Sequence, residues 1–365
     1  MAGIYISWPF CAQKCTYCNF ASGVLPKELE AQYPDAILKD IAAHSWGWNP
    51  DTLYFGGGTP SAMDTSALAR ITAALPGRPW REATIETAPG TVTAERVAEW
   101  KAAEINRVSL GVQSFIRQEL ARTGRKHTAE IVGQDIDTLR KAGISNINID
   151  LIAGLPGQTE STWRESLTAT VESGVPHVSV YMLEVDDESR LGSEILLGGK
   201  RYGASDVPSD DCIANFYETA VETLAQAGIH RYEISNFARA GAESIHNLKY
   251  WRREPYIGFG ADAHSFDGES RWQNVESAQE YVARLQRSES PRCEQTSPDP
   301  LEEKFFVGLR LSEGVAANDA DWQKFGPAFE RFLSGGVMER AGDRLRLTAR
   351  GVMISNEIFQ EFLTA

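Results

Sequence analysis

Cys11, Cys15 and Cys18 stand within eight residues near the amino terminus, in the run Cys-Ala-Gln-Lys-Cys-Thr-Tyr-Cys. Three thiolates so spaced can wrap three corners of an Fe–S cube, while a cube bound wholly by protein takes four ligands. Cys212 and Cys293 lie far along the chain, on segments with no metal-like neighbours. The spacing points to a [4Fe–4S] cluster with one iron left for an exogenous ligand. The competing readings are a zinc site, which would ask for a fourth Cys or His close by, and three incidental core cysteines. Five cysteines in 365 residues, three of them crowded together, suit metal or redox chemistry in a reducing compartment better than a disulfide framework.

Other residues interrupt apolar runs in ways that suggest ligand contact. Gly56-Gly57-Gly58-Thr59-Pro60 would let backbone approach a ligand closely, or simply make a tight turn. Glu86 ends an apolar run and needs a partner there. Gln113, Arg125 and Asp150 intrude similarly; surface solvation would account for Arg125, and a cap or turn for Asp150. His246-Asn-Leu-Lys-Tyr250-Trp251 joins an imidazole, a good axial ligand for haem iron, to two aromatics that can flank a flat macrocycle. If the segment is helical, His246 and Tyr250 share a face. The plainer reading of such a histidine is a hydrogen-bonded core or surface residue. That reading is applied to His44, His127, His177 and His230, and it is also the better one for His264, a further candidate ligand.

Positioning these residues falls to alternating elements. Strands are expected at 4–8, 52–55, 83–87, 107–113, 146–152 and 177–183, each rich in β-branched or aromatic residues. Helices are expected between them at 28–44, 61–75, 94–103, 128–142 and 160–173. Six βα units in a row favour a parallel sheet covered by helices. Periodicity alone leaves open whether it curls into a partial barrel or stays a doubly wound sheet. Either way, the site belongs at the carboxyl ends of the strands. Cys11, the glycine run, Glu86, Gln113 and Asp150 all fall at that end. Beyond residue 185 a long excursion at 190–208, a helix at 210–227 and a strand at 232–237 are expected. The stretch 288–300 reads as a linker, and a strand-turn-strand is expected at 337–347.

The cysteine spacing after a first strand, with Tyr17 before the last cysteine, resembles the radical S-adenosylmethionine superfamily. The resemblance implies that the open iron chelates the methionyl amine and carboxylate, and that electron transfer from the cluster cleaves the sulfonium. It places Tyr17 near the adenine and the backbone of Gly57, Gly58 and Thr59 at the methionyl amino group. Ser109-Leu-Gly-Val-Gln113-Ser-Phe115, Asn148 to Thr159 and Gly308-Leu-Arg-Leu resemble the coproporphyrinogen-oxidase-like branch. In that branch Tyr5, Glu86, Gln113, Arg125 and Asp150 match the contacts to S-adenosylmethionine, and Glu184 would line the same pocket. The resemblance spans Tyr5 to about Leu347. It implies an α/β fold: a partial (βα)6 TIM-like barrel of the radical S-adenosylmethionine type over residues 1–230, an extension and linker over 231–295, and a small α+β, winged-helix-like domain over 296–365.

Within the branch, the oxygen-independent coproporphyrinogen oxidases typically carry a fourth cysteine two residues after the third, where this chain has Phe20, and an extension before strand one. The His246–Trp251 run instead resembles the H-N-x-x-Y-W signature of the HemW-type haem chaperones, as do Tyr232 to Phe237 and Gly258 to Phe266. That likeness implies haem binding through His246, with Tyr250 and Trp251 beside it, and delivery to an apo-haem acceptor such as a membrane-bound respiratory enzyme. It also allows a homodimer and a role for the cluster in regulation instead of turnover. The oxidase, or a radical methyltransferase, is the alternative.

Composition narrows the classes further. Hydrophobic residues make up 42% and charged residues 24%, and the formal net charge is −14. Nucleic-acid binding rests mostly on Lys and Arg neutralising phosphates, so no nucleic-acid partner is expected. No leader pattern precedes the apolar run Ile4-Tyr5-Ile6. No apolar run approaches the roughly 18 residues of a membrane helix. A cytoplasmic protein, peripheral at the inner membrane during haem delivery, is expected.

Overall fold

The computed structural model describes residues 2–363. Six parallel strands lead, each followed by helix: β1 Ala2–Trp8, α1 Lys27–Ala43, β2 Pro50–Gly57, α2 Thr65–Ala74, β3 Glu82–Thr87, α3 Ala94–Ala102, β4 Arg107–Gln113, α4 Arg117–Arg122, α5 Ala129–Lys141, β5 Asn146–Ala153, α6 Glu160–Glu172 and β6 His177–Met182. The helices start where a short polar side chain takes an orphan backbone donor. Thr93, Thr128 and Thr159 do so for α3, α5 and α6. The single helix expected at 61–75 is instead a 3-10 turn at Pro60–Ala62 followed by α2. Asp64 interrupts it, accepting from the amides of Ser66 and Ala67 to begin a new helix.

Each strand has two unlike faces. Ile4, Ile6, Leu53, Phe55, Ile85, Val108, Leu110, Ile147, Ile149, Val178 and Val180 are all 1% exposed or less and pack in the main core beneath the helices. The alternate positions carry Tyr5, Tyr54, Glu82, Thr84, Glu86, Arg107, Ser109, Asn148, Asp150, His177, Ser179 and Tyr181. Because successive side chains point to opposite faces, this second set lines the concave side. Its polarity departs from the near-continuous apolar runs usual in buried parallel strands.

Beyond β6 the chain adds α7 Arg190–Leu196, α8 Asp210–Gln226, β7 His230–Arg231, β8 Asn236–Ala238, α9 Ile245–Trp251, β9 Tyr256–Phe259, β10 His264–Phe266, β11 Arg271–Asn274, α10 Ala278–Gln286 and β12 Arg292–Thr296. One twelve-stranded sheet results, in the order β12-β11-β10-β9-β1-β2-β3-β4-β5-β6-β8-β7. Only β9 joins the parallel set, beside β1. The sheet curls without closing. Tyr232, in the β7–β8 turn, accepts from the Ser244 amide at the start of α9 (3.2 Å), while Glu82 of β3 accepts from the Ile245 amide (2.9 Å). One helix end therefore bridges the central strand β3 and the β7–β8 edge, and the architecture is a partial barrel with β12 and β7 as its edges.

Two local expectations change. The strand expected at 232–237 is a tight reversal, because the Glu233 carboxylate accepts from the Ser235 amide and the Asn236 side chain and stitches a turn there. The linker expected at 288–300 contains β12, whose five residues are all exposed. An edge strand facing solvent needs no apolar residues, so its composition looks like a loop. The remaining elements are α11 Pro300–Gly308, β13 Val315–Ala316, α12 Asp319–Ser334, β14 Met338–Ala341, β15 Arg344–Leu347, α13 Ala349–Met353 and α14 Ser355–Gln360. They form a small helical unit with the antiparallel sheet β13-β15-β14, as the winged-helix-like expectation requires.

The floor of the barrel rests on Glu82. Its buried carboxylate accepts from Ser244 Oγ (3.1 Å) and from the Ile245 and His246 amides (2.9 Å each), and faces the buried guanidinium of Arg107 at 3.9 Å. An anion at a helix amino terminus is favoured by both the free amides and the dipole. Glu82→Ala would orphan three donors and leave Arg107 buried and unpaired. Urea unfolding should show a loss of about 3–5 kcal/mol, with Glu82→Gln losing less; a change within the error of the measurement would show that the floor is held by something else.

Candidate cofactor site and the histidine beneath it

The cysteine loop leaves β1 and is tied down by backbone bonds. Cys11 N donates to Gly23 O and Gly23 N to Pro9 O (2.9 Å each), while Gly58 N and Thr59 N reach Trp8 O (2.7 Å) and Phe10 O (2.9 Å). Thr16 N donates to Thr123 O (3.3 Å), and Leu191 N to Thr16 O (2.8 Å). All three cysteines are free and half-buried; Cys212 and Cys293 are exposed. Burial pushes the Cys11 thiol up, the Ser22 and Thr59 hydroxyls oppose this, and the charges of Cys18 and Cys15 add to it. Among the described residues no three His, Cys, Asp or Glu side chains converge on a point that could hold a single metal ion. The three thiols are close enough for Cys15 and Cys18 to bear electrostatically on Cys11.

The glycine run is needed for close packing at the same place. Gly57 has φ +107°, a conformation glycine alone takes freely, and its amide donates to Glu86 Oε2 at 3.2 Å. A side chain at Gly58 would bring its Cβ to 2.7 Å from Phe10 O and 2.9 Å from Cys11 Sγ. The chain between β2 and α2 therefore lies directly against the cysteine loop.

Behind the loop, polar side chains of the concave face meet. Glu86 accepts from Tyr54 Oη (3.0 Å). Asp150 accepts from Ser109 Oγ (3.1 Å) and Asn148 Nδ2 (2.7 Å). Asn148 Oδ1 bonds His177 Nδ1 (2.6 Å), whose Nε2 meets Tyr232 Oη (2.9 Å). Burial first, then the charge of Asp150, pushes the Glu86 carboxyl up to about 7 against the donors Tyr54 and Gly57 and the charge of Arg107. Asp150 is likewise pushed up by burial, opposed by its hydroxyl and amide donors. Tyr5 stacks on Tyr54 with centroids 6.1 Å apart. Tyr181 is 43% exposed.

Several polar atoms here are buried without any partner: Gln113 Oε1, Arg125 Nε and Tyr17 Oη. Arg125 donates to Gly111 O at 2.7 Å, and the Tyr17 and Cys15 charges bear on it. Gln113 has φ +69° and caps the end of β4. Glu184 is exposed just past β6, with its charge felt by Arg310. It makes no hydrogen bond to the other residues of the site.

His246 is on α9 with Tyr250, as the spacing predicts, but it is buried and Tyr250 half-buried. His246 is 1% exposed. Its Nδ1 meets Thr52 Oγ1 at 2.9 Å and its Nε2 meets Tyr250 Oη at 2.8 Å. Its ring stacks on Tyr54 at 5.2 Å. Gly3 makes the room: a Cβ there would lie 3.1 Å from His246 Cε1. Burial, then Lys249 and Arg107, push its pKa down to about 3. Trp251 turns the other way, under the guanidinium of Arg310 at 4.9 Å. His264 is exposed rather than buried.

Residues 5–169 match the Radical SAM superfamily and residues 295–354 the HemN C-terminal domain. The "Heme chaperone HemW" of Lactococcus lactis is 32% identical over 98% of this chain and 96% of its own length. That of Bacillus subtilis is 32% identical over 100% and 99%, and that of Escherichia coli 30% over 99% and 97%. The chain belongs to the HemW family of radical SAM proteins. Among solved structures, coproporphyrinogen III oxidase HemN from E. coli superposes with a TM-score of 0.83 over 99% of this chain and 89% of its own, at 20% identity; that likeness bears on the fold alone.

As a HemW-family chain, the protein has residues that fit a cluster and S-adenosylmethionine. Three thiols share one loop, the glycine run presses against it, Arg125 bears on Tyr17 and Cys15 of that loop, and buried atoms of Gln113 and Arg125 lack partners. The haem residues do not fit in this arrangement. Iron coordination needs a bare imidazole nitrogen, and both nitrogens of His246 are engaged in a closed space. His177 is the hydrogen-bonded core residue the sequence suggests; sequence reasoning missed Thr52, Tyr54, Glu82, Arg107, Ser109, Asn148, Ser179 and Tyr181. Their signal was present as every second residue of strands otherwise apolar.

The raised Glu86 carboxyl has a measurable consequence. The folded state holds that proton more tightly than the unfolded chain, so its stabilisation is full below about pH 4.5 and is lost as pH rises through about 7. Glu86→Gln should therefore gain urea resistance relative to wild type as pH is raised from about 5 to about 8. Parallel profiles for the two proteins would show that Glu86 titrates as an ordinary glutamate.

Proposed function

We propose that this protein is a haem chaperone that carries a [4Fe–4S] cluster on Cys11, Cys15 and Cys18 and S-adenosylmethionine across the carboxyl ends of the barrel strands. The observation that carries the reading is full-length similarity to proteins named "Heme chaperone HemW", joined to a cysteine loop set at the end of β1. The position two residues past Cys18 is Phe20, 67% exposed, where the oxidases of the branch hold a further cysteine. The bound cluster would supply an open iron and a single electron. Around it, the Gly57, Gly58 and Thr59 backbone would take the methionyl amino group, and Arg125 and Gln113 the carboxylate and neighbouring polar atoms. Glu86 and Asp150 would accept from ribose hydroxyls, while Tyr5 and Tyr17 would pack on the flat rings. Glu184, past the end of β6, would line the same pocket.

Haem would be taken at His246, with Tyr250 and Trp251, only after α9 leaves its seat under the barrel. An acceptor apo-haem protein, such as a respiratory enzyme at the membrane, would receive it. The protein would be cytoplasmic and peripheral at the membrane during delivery; no helix among the described residues is long and apolar enough to cross a membrane. The barrel (1–230), the haem-signature extension (231–295) and the carboxy-terminal domain (296–365) would divide cofactor holding, haem capture and partner docking, with a homodimer as one docking mode.

The test is anaerobic cluster reconstitution followed by ferric haem titration, with coproporphyrinogen turnover assayed in the same samples. Stoichiometric haem binding without vinyl product is expected; vinyl product with consumption of S-adenosylmethionine would make the protein an oxidase. Gly58→Ala should fold normally yet incorporate markedly less iron and sulfide, because its methyl group would displace Cys11. Normal incorporation by that variant would show that the loop adapts.

A further inference from the structure

Haem iron needs an imidazole with a bare nitrogen, and the chain has six histidines. His246 and His177 have both nitrogens bonded. His127 is buried, with Nε2 on Val112 O at 3.0 Å. His44 packs edge-on against Trp46 (4.8 Å) and Phe259 (5.8 Å), on the core side of the sheet. His230 and His264 are exposed.

Strand register separates these two. β8 pairs Ala238 with His177, and β7 pairs His230 with Ala238. His230 is therefore level with the first residue of β6, at the floor end and on an outermost strand. His264 is placed differently. β9 runs parallel to β1, with Gly258 beside Tyr5. β10 runs back along β9, with Phe266 beside Tyr256. His264 is thus level with Gly258 and Tyr5, two residues nearer the open end than Phe266.

The concave face carries its side chain. Phe266 lies under the Arg271 guanidinium at 4.3 Å, and Arg271 donates to Tyr256 Oη at 2.9 Å. Tyr256 in turn meets Tyr250 edge to face at 4.6 Å, beside the ring of His246. Ile257, Phe259 and Trp272, at alternate positions, belong to the main core. Side chains two apart on a strand share a face, so His264 joins Phe266 on the hollow side. One row of residues crosses the hollow at this level: Tyr54, Tyr5, Gly258, His264 and Gln273. Gly258 puts no side chain between Tyr5 and His264, which stand two strand spacings apart, about 9.5 Å. Gln273 is engaged elsewhere, donating to Asp262 at 2.7 Å. The His264 imidazole makes no hydrogen bond or ion pair among the described residues.

We infer that His264 is an axial ligand of haem iron, holding haem against the Tyr5–Gly258 strip of the barrel wall while α9 stays in its seat. The step is a ligand exchange: an imidazole lone pair replaces water on ferric iron, and no electron is transferred. Haem then sits two strands from β1, whose end carries the cysteine loop. The assignment rests on the chaperone reading.

The experiment titrates ferric haem into cluster-reconstituted full-length protein and follows the Soret band. Wild type should show histidine-ligated haem. His264→Ala should lose that signature and bind haem about tenfold less tightly. Added imidazole should restore the signature in His264→Ala, which a merely structural role would not allow. His230→Ala, which removes the other exposed imidazole, should match wild type. A spectrum and affinity unchanged in His264→Ala overturn the assignment and leave the chaperone reading standing. An equal loss in His230→Ala also overturns it, because haem would then be adsorbing to surface histidines. If wild type binds no haem, the chaperone reading falls and takes the assignment with it.

Discussion

A carboxylate at the start of one strand, Glu82, joins the barrel to the helix beneath it. Burying an anion between strands is costly unless donors surround it. Here the donors are the free amides that any helix presents at its first turn, together with the Ser244 hydroxyl. Each cures the other's deficit: the carboxylate gains its hydrogen bonds, and the helix end gains its cap. The consequence is positional. With α9 fixed there, His246 has one place to go, the slot opened by Gly3 under Tyr54, and the floor of the barrel is closed.

From that floor upward the concave face is a polar network, which explains its electrostatics. Arg107 is the buried cation of the lower barrel. Its charge contributes to holding His177 and His246 neutral and partly offsets the burial of Glu86 and Asp150. Histidines kept neutral can act as hydrogen-bonding members of the wall, as His177 does between Asn148 and Tyr232. The carboxylates are also met by donors, Glu86 by Tyr54 and Gly57 and Asp150 by Ser109 and Asn148.

Much of this was legible from residue order. The six βα units, the cysteine loop after the first strand and the face shared by His246 and Tyr250 all follow from short-range periodicity. The polar lining also left a trace, an alternation within β1 to β6, but it was overlooked because the same strands score as apolar. The linker expected at 288–300 was misleading for a different reason. A solvent-facing edge strand such as Arg292–Thr296 is recognised by its partner β11, and partners are not written in local composition.

The sequence by itself determined which chemistry is available: three thiols at cluster spacing, glycines where a turn must press close, an imidazole with two aromatics in one helical turn. Spacing along a chain is enough for these, because each depends on residues within a turn or a loop of one another. Only the tertiary structure decided their disposition. It turned His246 inward, engaged both its nitrogens, and set Tyr54 between it and Glu86, through contacts spanning 194 residues to Thr52 and 164 to Glu82. Whether a histidine is a free ligand or a hydrogen-bonded part of the wall depends on what its nitrogens meet. That is settled by which strands and helices pack together, which no local pattern records.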